Sequence, residues 1–500
     1  MTGNLLIRHA DILSSAGAEK ALQGDILIRD GIIEEVAPAL DVPNVEVLDA
    51  TGCLAIPGLI NAHLHSPGNL MRGTLDGLPL ELFMLFEVPP LAQGTEDPDV
   101  VRVRTLLGAM EMLKLGITSV LDDAFFVPLV SREAIDALCG AYADIGMRAT
   151  VALDQPIVVE YEKYPFLADL LPDTVKRTMD AAPRETAEGM LAHYRDFIAR
   201  WHGGGDGLIG AAVSCSAPQR ATAEYLCALS ELSRDHHIPY FCHILETKLQ
   251  RVLGDEKYGR SLVQVVDDLG ILNEYMEVIH AIWVDDDDIA RLARSGATVA
   301  HNPVCNLRLG SGVMPYAALR RAGVPIALGT DEAISDDSHN LWGTMKTAAT
   351  VHSLATPDFE DWPTASDILS AVWDGGSRAM HRPVSVGRLV PGASGDVALL
   401  DKDAPSFLPL HDVRRQLVLC EAGRAVRHTV VNGRVVVRNG HLTTIDEAAL
   451  VGEVRAMEPR LREMARAVRE GAAPLFPYYR EMVRRAAQVP VGFSRWVGSR

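Results

Sequence analysis

LAIPGLINAHLH, residues 54–65, is a short apolar run that ends in two histidines. Strands buried on both faces read as continuous apolar runs of this length. His63 and His65, two positions apart, fall on one side of an extended chain. Seven further short runs follow, separated by longer segments of helical periodicity: GITSVLD (116–122), MRATVAL (147–153), GLIGAAVSC (207–215), IPYFCH (238–243), EVIHA (277–281), ATVAH (297–301) and PIALGTD (325–331). Alternating strands and helices imply βα units, and eight of them predict an α/β fold, a (β/α)8 TIM barrel over residues 56–384.

The ends of the chain read differently. ILIRDGIIEEVA (26–37) places Asp30-Gly31 between apolar stretches, and HTVVNGRVVVRNGH (428–441) places Asn432-Gly433 in the same setting. Both dipeptides are hairpin signals. Residues 1–55 and 385–442 are therefore expected to build one small composite β-sandwich domain, followed by a helical extension over 443–500. In that extension Arg455, Arg460, Arg462, Arg466, Arg469, Arg480, Arg484 and Arg485 recur at helical intervals, which reads as a solvated helical face or a subunit contact.

Composition narrows the function classes. A net charge of −19 disfavours nucleic acid, whose nonspecific binding needs clustered Lys and Arg. No apolar run is long enough to span a bilayer, and MTGNLLIRHADILSS lacks the pattern of a secretory signal, so a cytoplasmic location with no membrane partner is expected. The seven cysteines, Cys53, Cys139, Cys215, Cys227, Cys242, Cys305 and Cys420, are scattered singly, unlike a zinc finger or a disulfide scaffold.

In a barrel of this kind the chemistry sits at the C-terminal ends of the strands. The first run ends at His63 and His65, the fifth at His243, the sixth reaches His280, the seventh ends at His301 and the eighth at Asp331. One histidine at a strand end is usually structural. Five with an aspartate form a ligand set for a borderline divalent ion such as zinc or ferrous iron.

PGLINAHLH, HILET (243–247), VIHAIWVDDDDIARLARSGATVAHNPVCNLRLGSG (278–312) and GVPIALGTD (323–331) resemble the amidohydrolase superfamily. Within it they resemble the branch that contains cytosine deaminase, guanine deaminase, S-adenosylhomocysteine deaminase and the triazine hydrolases. GRLVPGASGDVALLD (387–401) and VVNGRVVVRNG (430–440) match as well, so the resemblance covers nearly the whole chain. It implies that His63, His65, His243 and Asp331 hold one divalent metal, zinc in the first instance and iron as the alternative, and that Glu246, His280 and Asp331 are the catalytic groups. The fourth run contains no lysine to be carbamylated as in binuclear members, so one ion is expected. A divalent ion can lower the pKa of water to about 7. Glu246 would protonate the ring nitrogen and the leaving amine, Asp331 would take the proton of the attacking water, and His280 would orient the nucleophile or the developing oxyanion. The expected activity is hydrolytic deamination of a purine, pterin, pyrimidine or triazine-like amine. Alternatives are an s-triazine chlorohydrolase or N-dealkylase, a cyclic amidohydrolase, and, in another class, a non-catalytic binding protein.

Substrate contacts are read more loosely. Phe125 and Phe126 could stack on a flat ring or simply pack, and Ser216, His301, Asn302 and Glu332 lie at strand ends or beside a ligand. Two departures point to an unusual substrate: SCSAPQRAT (214–222) replaces the PHAPYT of the nucleoside deaminases, with Ser216 at its His, and Glu332 adds a carboxylate where relatives commonly have Gly. Ala92 aligns with the ribose-binding Glu of the nucleoside deaminases, which disfavours S-adenosylhomocysteine. The apolar LELFML (80–85) and the Arg-rich tail together predict a homodimer or larger homo-oligomer.

Overall fold

The computed structural model describes residues 3–498. Nine strands from the two ends of the chain form one continuous sheet: Leu5–Ile12, Leu22–Arg29, Ile32–Ala37, Glu46–Asp49 and Cys53–Pro57 from the start, and Val397–Asp401, Val426–Val431, Arg434–Arg438 and His441–Leu442 from the end. Its seam is the antiparallel pairing of Val397–Asp401 with Cys53–Pro57. Leu5, Ile7, Ile26, Ile28, Leu399 and Val430 share one core, so neither segment is complete without the other. Both expected hairpin dipeptides turn with positive φ, Asp30 at 48° and Gly31 at 79°, Asn432 at 52° and Gly433 at 73°, as this tight turn requires.

Eight parallel strands make the barrel: β1 Leu59–Leu64, β2 Ile117–Phe125, β3 Arg148–Asp154, β4 Ile209–Ala211 continued by Val213–Ser214, β5 Tyr240–Ile244, β6 Met276–His280, β7 Thr298–His301 and β8 Ile326–Leu328. The run 54–65 is thus divided, its first half lying in the terminal sheet and its second half in the barrel. Pro57 and Gly58 make the crossing. A Cβ at Gly58 would come within 2.2 Å of Thr118 Oγ1, so the chain can pass that close to β2 only without a side chain. The fourth run is likewise split at Ala212. Its first part pairs with β3 and its second with β5, while the Ala212 N–H donates to Val151 O at 2.7 Å.

Closure between the last and first strands rests on Asp331. Its N–H donates to His63 O at 3.0 Å, and the His65 N–H donates to Asp331 O at 3.1 Å. Inside the barrel Ile60, Leu121, Ala152, Ala212, Phe241, Ile279 and Ala300 pack into a plug with Ala379 and Met380, so solvent can enter only at the other end.

The segment after β1 folds over that end as helix α1, Leu80–Glu87. The tail forms α2, Glu447–Ala472, and α3, Phe476–Gln488. Tyr479, Met482 and Ala486 of α3 pack on Leu82 and Leu85 of α1, which fastens the cover from outside. Of α2 only Leu450 and Ala472 are buried, and its arginines make ion pairs such as Arg462–Glu458 and Arg460–Asp97. No helix among the described residues is long and apolar enough to cross a membrane.

Candidate active site

Four of the barrel's C-terminal strand ends turn through left-handed backbone at non-glycine residues: Ser216 (φ 65°), Leu245 (φ 54°), His280 (φ 78°) and Asp331 (φ 65°). Such conformations cost of order 1 kcal/mol or more each, and they cluster where side chains must be aimed. These aim at one point. His63, His65, His243, His280, Glu246 and Asp331 meet there, and none is more than 8% exposed.

The hydrogen bonds fix the histidine tautomers. His65 Nδ1 lies 2.6 Å from Asp123 O, and His243 Nδ1 lies 2.7 Å from Ser216 O. A carbonyl oxygen can only accept, so each ring carries its proton on Nδ1 and presents a bare Nε2. Those two bare nitrogens face each other at 3.2 Å. Lone pairs at that separation repel unless a cation draws on both. His63 Nε2 is 3.4 Å and His65 Nε2 3.7 Å from Asp331 Oδ1, and neither nitrogen of His63 has a hydrogen-bond partner. Ligand atoms of His63, His65 and Asp331, and of His63, His243 and His280, lie within 4.8 Å of one another. Three imidazoles and a carboxylate with unmet electron pairs fit a divalent metal ion. Electrostatics agree. Burial pushes the imidazoles of His63 and His243 below their ordinary range, which keeps them neutral and able to ligate. Burial acts the other way on Asp331, but its contact with His63 and the surrounding rings hold it well below the usual carboxylate range.

His280 has the opposite tautomer. Its Nδ1 accepts from Asn306 Nδ2 at 3.0 Å and faces Asn302 Nδ2 at 3.4 Å, so Nε2 bears the proton. That N–H lies 3.5 Å from Glu246 Oε2 and 3.8 Å from Asp331 Oδ2. Burial pushes His280 down to about 3, so it donates as a neutral imidazole. Burial, with the charges of Asp331 and Glu81 adding to it, pushes Glu246 well above the carboxylate range. The Glu246 carboxyl thus sits beside a hydrogen-bond donor and across from the ligand set.

A narrow cleft opens on this group. Phe125, Ser216 and Glu332 line it, the Phe125 ring 5.8 Å from that of His65. His301 turns away, its Nε2 3.2 Å from His352 Nε2. Asn302 reaches His280 instead of the cleft, Phe126 lies in the core, and Ala92 lies outside the cleft. Sequence reasoning missed Asp123, which orients His65 through its carbonyl, and Asn306, which sets the His280 tautomer. It also missed Glu87, Asp154 and Arg220 on the cleft wall. Asp123 and Asp154 carried the same strand-end signal as the ligands. Asp154 closes β3, and β2 runs three residues past the Asp122 at which its apolar run stops.

Comparison with known proteins agrees with this architecture. Residues 54–436 match the amidohydrolase family. A 5-methylthioadenosine/S-adenosylhomocysteine deaminase of Desulforudis audaxviator is 31% identical over 92% of this chain and 99% of its own. A 5'-deoxyadenosine deaminase of Methanosarcina mazei is 28% identical over 90% and 97%. Among solved structures, an atrazine chlorohydrolase of Arthrobacter aurescens complexed with zinc superposes with a TM-score of 0.81 at 25% identity, covering 91% of this chain and 99% of the other. An adenosine deaminase of Xanthomonas campestris with bound zinc gives 0.79 at 26%, covering 92% and 99%. From the strand-end ligand set to the sheet that joins its termini, the chain belongs to the amidohydrolase family.

Proposed function

We propose that this protein is a zinc-dependent hydrolytic deaminase of a nitrogen heterocycle, with one ion held by His63, His65, His243 and Asp331. The observation that carries the reading is the buried Glu246 carboxyl, its Oε2 3.5 Å from His280 Nε2 and across from the ligand set. Expelling an amine from an aromatic ring needs a proton carrier at that place, because a neutral ring nitrogen must be protonated for its carbon to accept a nucleophile. The ion supplies Lewis acidity and a water of lowered pKa. Asp331 takes the proton of the attacking water. His280 donates Nε2–H to the oxygen that arrives on the ring carbon, at no reorganisation cost because Asn306 already holds the ring. Glu246 delivers its proton to the ring nitrogen, recovers one, and passes it to the departing amine.

The named activities of the relatives support this reading, since adenosine-type deaminases and the atrazine chlorohydrolase are both among them. That chlorohydrolase likeness, together with SCSAPQRAT in place of the nucleoside-deaminase pattern, favours chloride or an alkylamine as the second choice of leaving group. We further infer a homo-oligomer, a dimer or larger, supported by the sparsely buried α2 beside a groove lined by Leu461, Met464 and Val468. The test of function is ammonia release by the zinc-loaded protein from purines, pterins, pyrimidines and aminotriazines. Release from at least one class is expected, and chloride release without ammonia would move the assignment to the second leaving group.

A further inference from the structure

Among the described residues three arginines are buried: Arg104 at 4% exposure, Arg148 at 7% and Arg220 at 8%. A guanidinium has five N–H donors and no acceptor, so burying one is costly unless acceptors replace the lost water. The first two conform. Arg104 grips both oxygens of Glu96 at 2.8 Å. Arg148 grips Asp396 with Nε and Nη2, at 2.9 and 3.2 Å, and adds Ser394 Oγ at 2.7 Å.

Arg220 does not. It ends the short turn Pro218–Arg220 beyond β4 and lines the same cleft as His65, His243 and Glu246. Nη1 donates to Ser216 Oγ at 2.8 Å. Nη2 donates to Met84 Sδ at 2.8 Å, a thioether and so a weak acceptor, and Nε has no partner. No carboxylate forms an ion pair with it among the described residues. Tyr164 lies beside it on the cleft wall, and Tyr164, Asp154, Glu160 and Glu246 favour its charged form. Lys163, the other cation on the wall, is engaged by Glu160 at 2.7 Å. The cleft therefore presents one desolvated, planar cation lacking the two-oxygen partner that its counterparts have.

We propose that the substrate is a nitrogen heterocycle bearing a carboxylate, and that Arg220 receives that carboxylate while the ring's amino carbon faces the metal side. A planar fork matches two coplanar oxygens in a way that a lysine or a hydroxyl cannot. The inference rests on the deaminase reading for the ring chemistry alone. The anion site stands on the geometry of Arg220.

Two measurements on the zinc-loaded protein separate them. Nicotinate, an aromatic carboxylate with no amine to lose, should bind and raise Tm, while its neutral counterpart nicotinamide should not. R220M should weaken nicotinate at least tenfold. R220K, which keeps the charge but not the fork, should fall between and guards against a folding defect in R220M. In turnover, pterin-6-carboxylate or 5-carboxycytosine should exceed pterin or cytosine by about 100-fold in kcat/KM, a size in keeping with truncated buried charge pairs, and R220M should collapse that ratio towards one. Nicotinamide binding as well as nicotinate, R220M binding nicotinate undiminished, or wild type binding neither would overturn the proposal. So would ammonia release favouring the neutral members, which leaves the deaminase reading intact. Arg220-dependent nicotinate binding without ammonia from any compound would do the reverse.

Discussion

The two ends of the barrel bury polar groups under opposite rules. At the C-terminal end six ionisable side chains crowd one point, and their tautomers and protonation are set from behind by Asp123 O, Ser216 O and Asn306. At the other end, in the plug of Ile60, Leu121, Phe241, Ile279 and Ala300, β6 buries Glu277 at 1% exposure with neither carboxyl oxygen partnered. Depth is equal and meaning is not. A single buried carboxyl is a burden on stability, whereas a site is marked by several groups whose unmet valences converge and whose orientation is fixed by further residues.

If that contrast is right, the largest effect comes from the residue whose valences make sense only with an ion. His63→Ala should reduce zinc content per chain by well over tenfold, since even residues behind the ligands govern 10–100-fold in metal affinity. Turnover should become undetectable, as it should after chelation, and elemental analysis reads the first outcome directly. Full metal in His63→Ala would mean that the convergence is only packing. Glu246→Gln should come next, with zinc retained and kcat lowered about 10² to 10⁴-fold, the range of general acid–base catalysis. A smaller effect is expected for Asn306→Ala. Asn306 touches His280 Nδ1 alone in this site, so its removal frees the tautomer without removing the ring. A fall of about tenfold in kcat is expected with KM and zinc content little changed. A rise in KM alone would place Asn306 in binding.

The upper end was legible because β-strand alternation and the C-terminal-face rule act locally. His63 and His65 are two residues apart, and His243, His280 and Asp331 each stand at or just beyond the end of a strand. The contacts of the orienting groups and of the substrate wall were not legible, because they cross the sequence. Asp123 meets His65 over 58 positions, and Met84 meets Arg220 over 136. The same limit explains His301. It stands at a strand end like the others, but the side of the strand that faces His352 is decided by the helix Leu341–Val351 and the turn after it. The division of 54–65 between two sheets was hidden as well, since both halves are apolar and only the crowding of Gly58 by Thr118 reveals the crossing.

Glu277 tests the lower end, where the effect on turnover should vanish and only stability should move. Burial pushes its carboxyl well above the ordinary range, while in the unfolded chain it titrates near 4.3. Between those values the native state keeps a proton that the unfolded state has lost. The native form then binds more protons, and stability falls as pH rises through the interval. Glu277→Gln cannot ionise and escapes that slope. Its stability relative to wild type should therefore rise from pH 5 to pH 8, because only wild type loses stability over that interval. Paired thermal melts at the two pH values read the difference of differences, which cancels every other titrating group common to both proteins. Zinc content and kcat should match wild type. Equal melting at both pH values would mean that Glu277 is solvated or paired in solution, and the lower end would then handle its polar group as the upper end does.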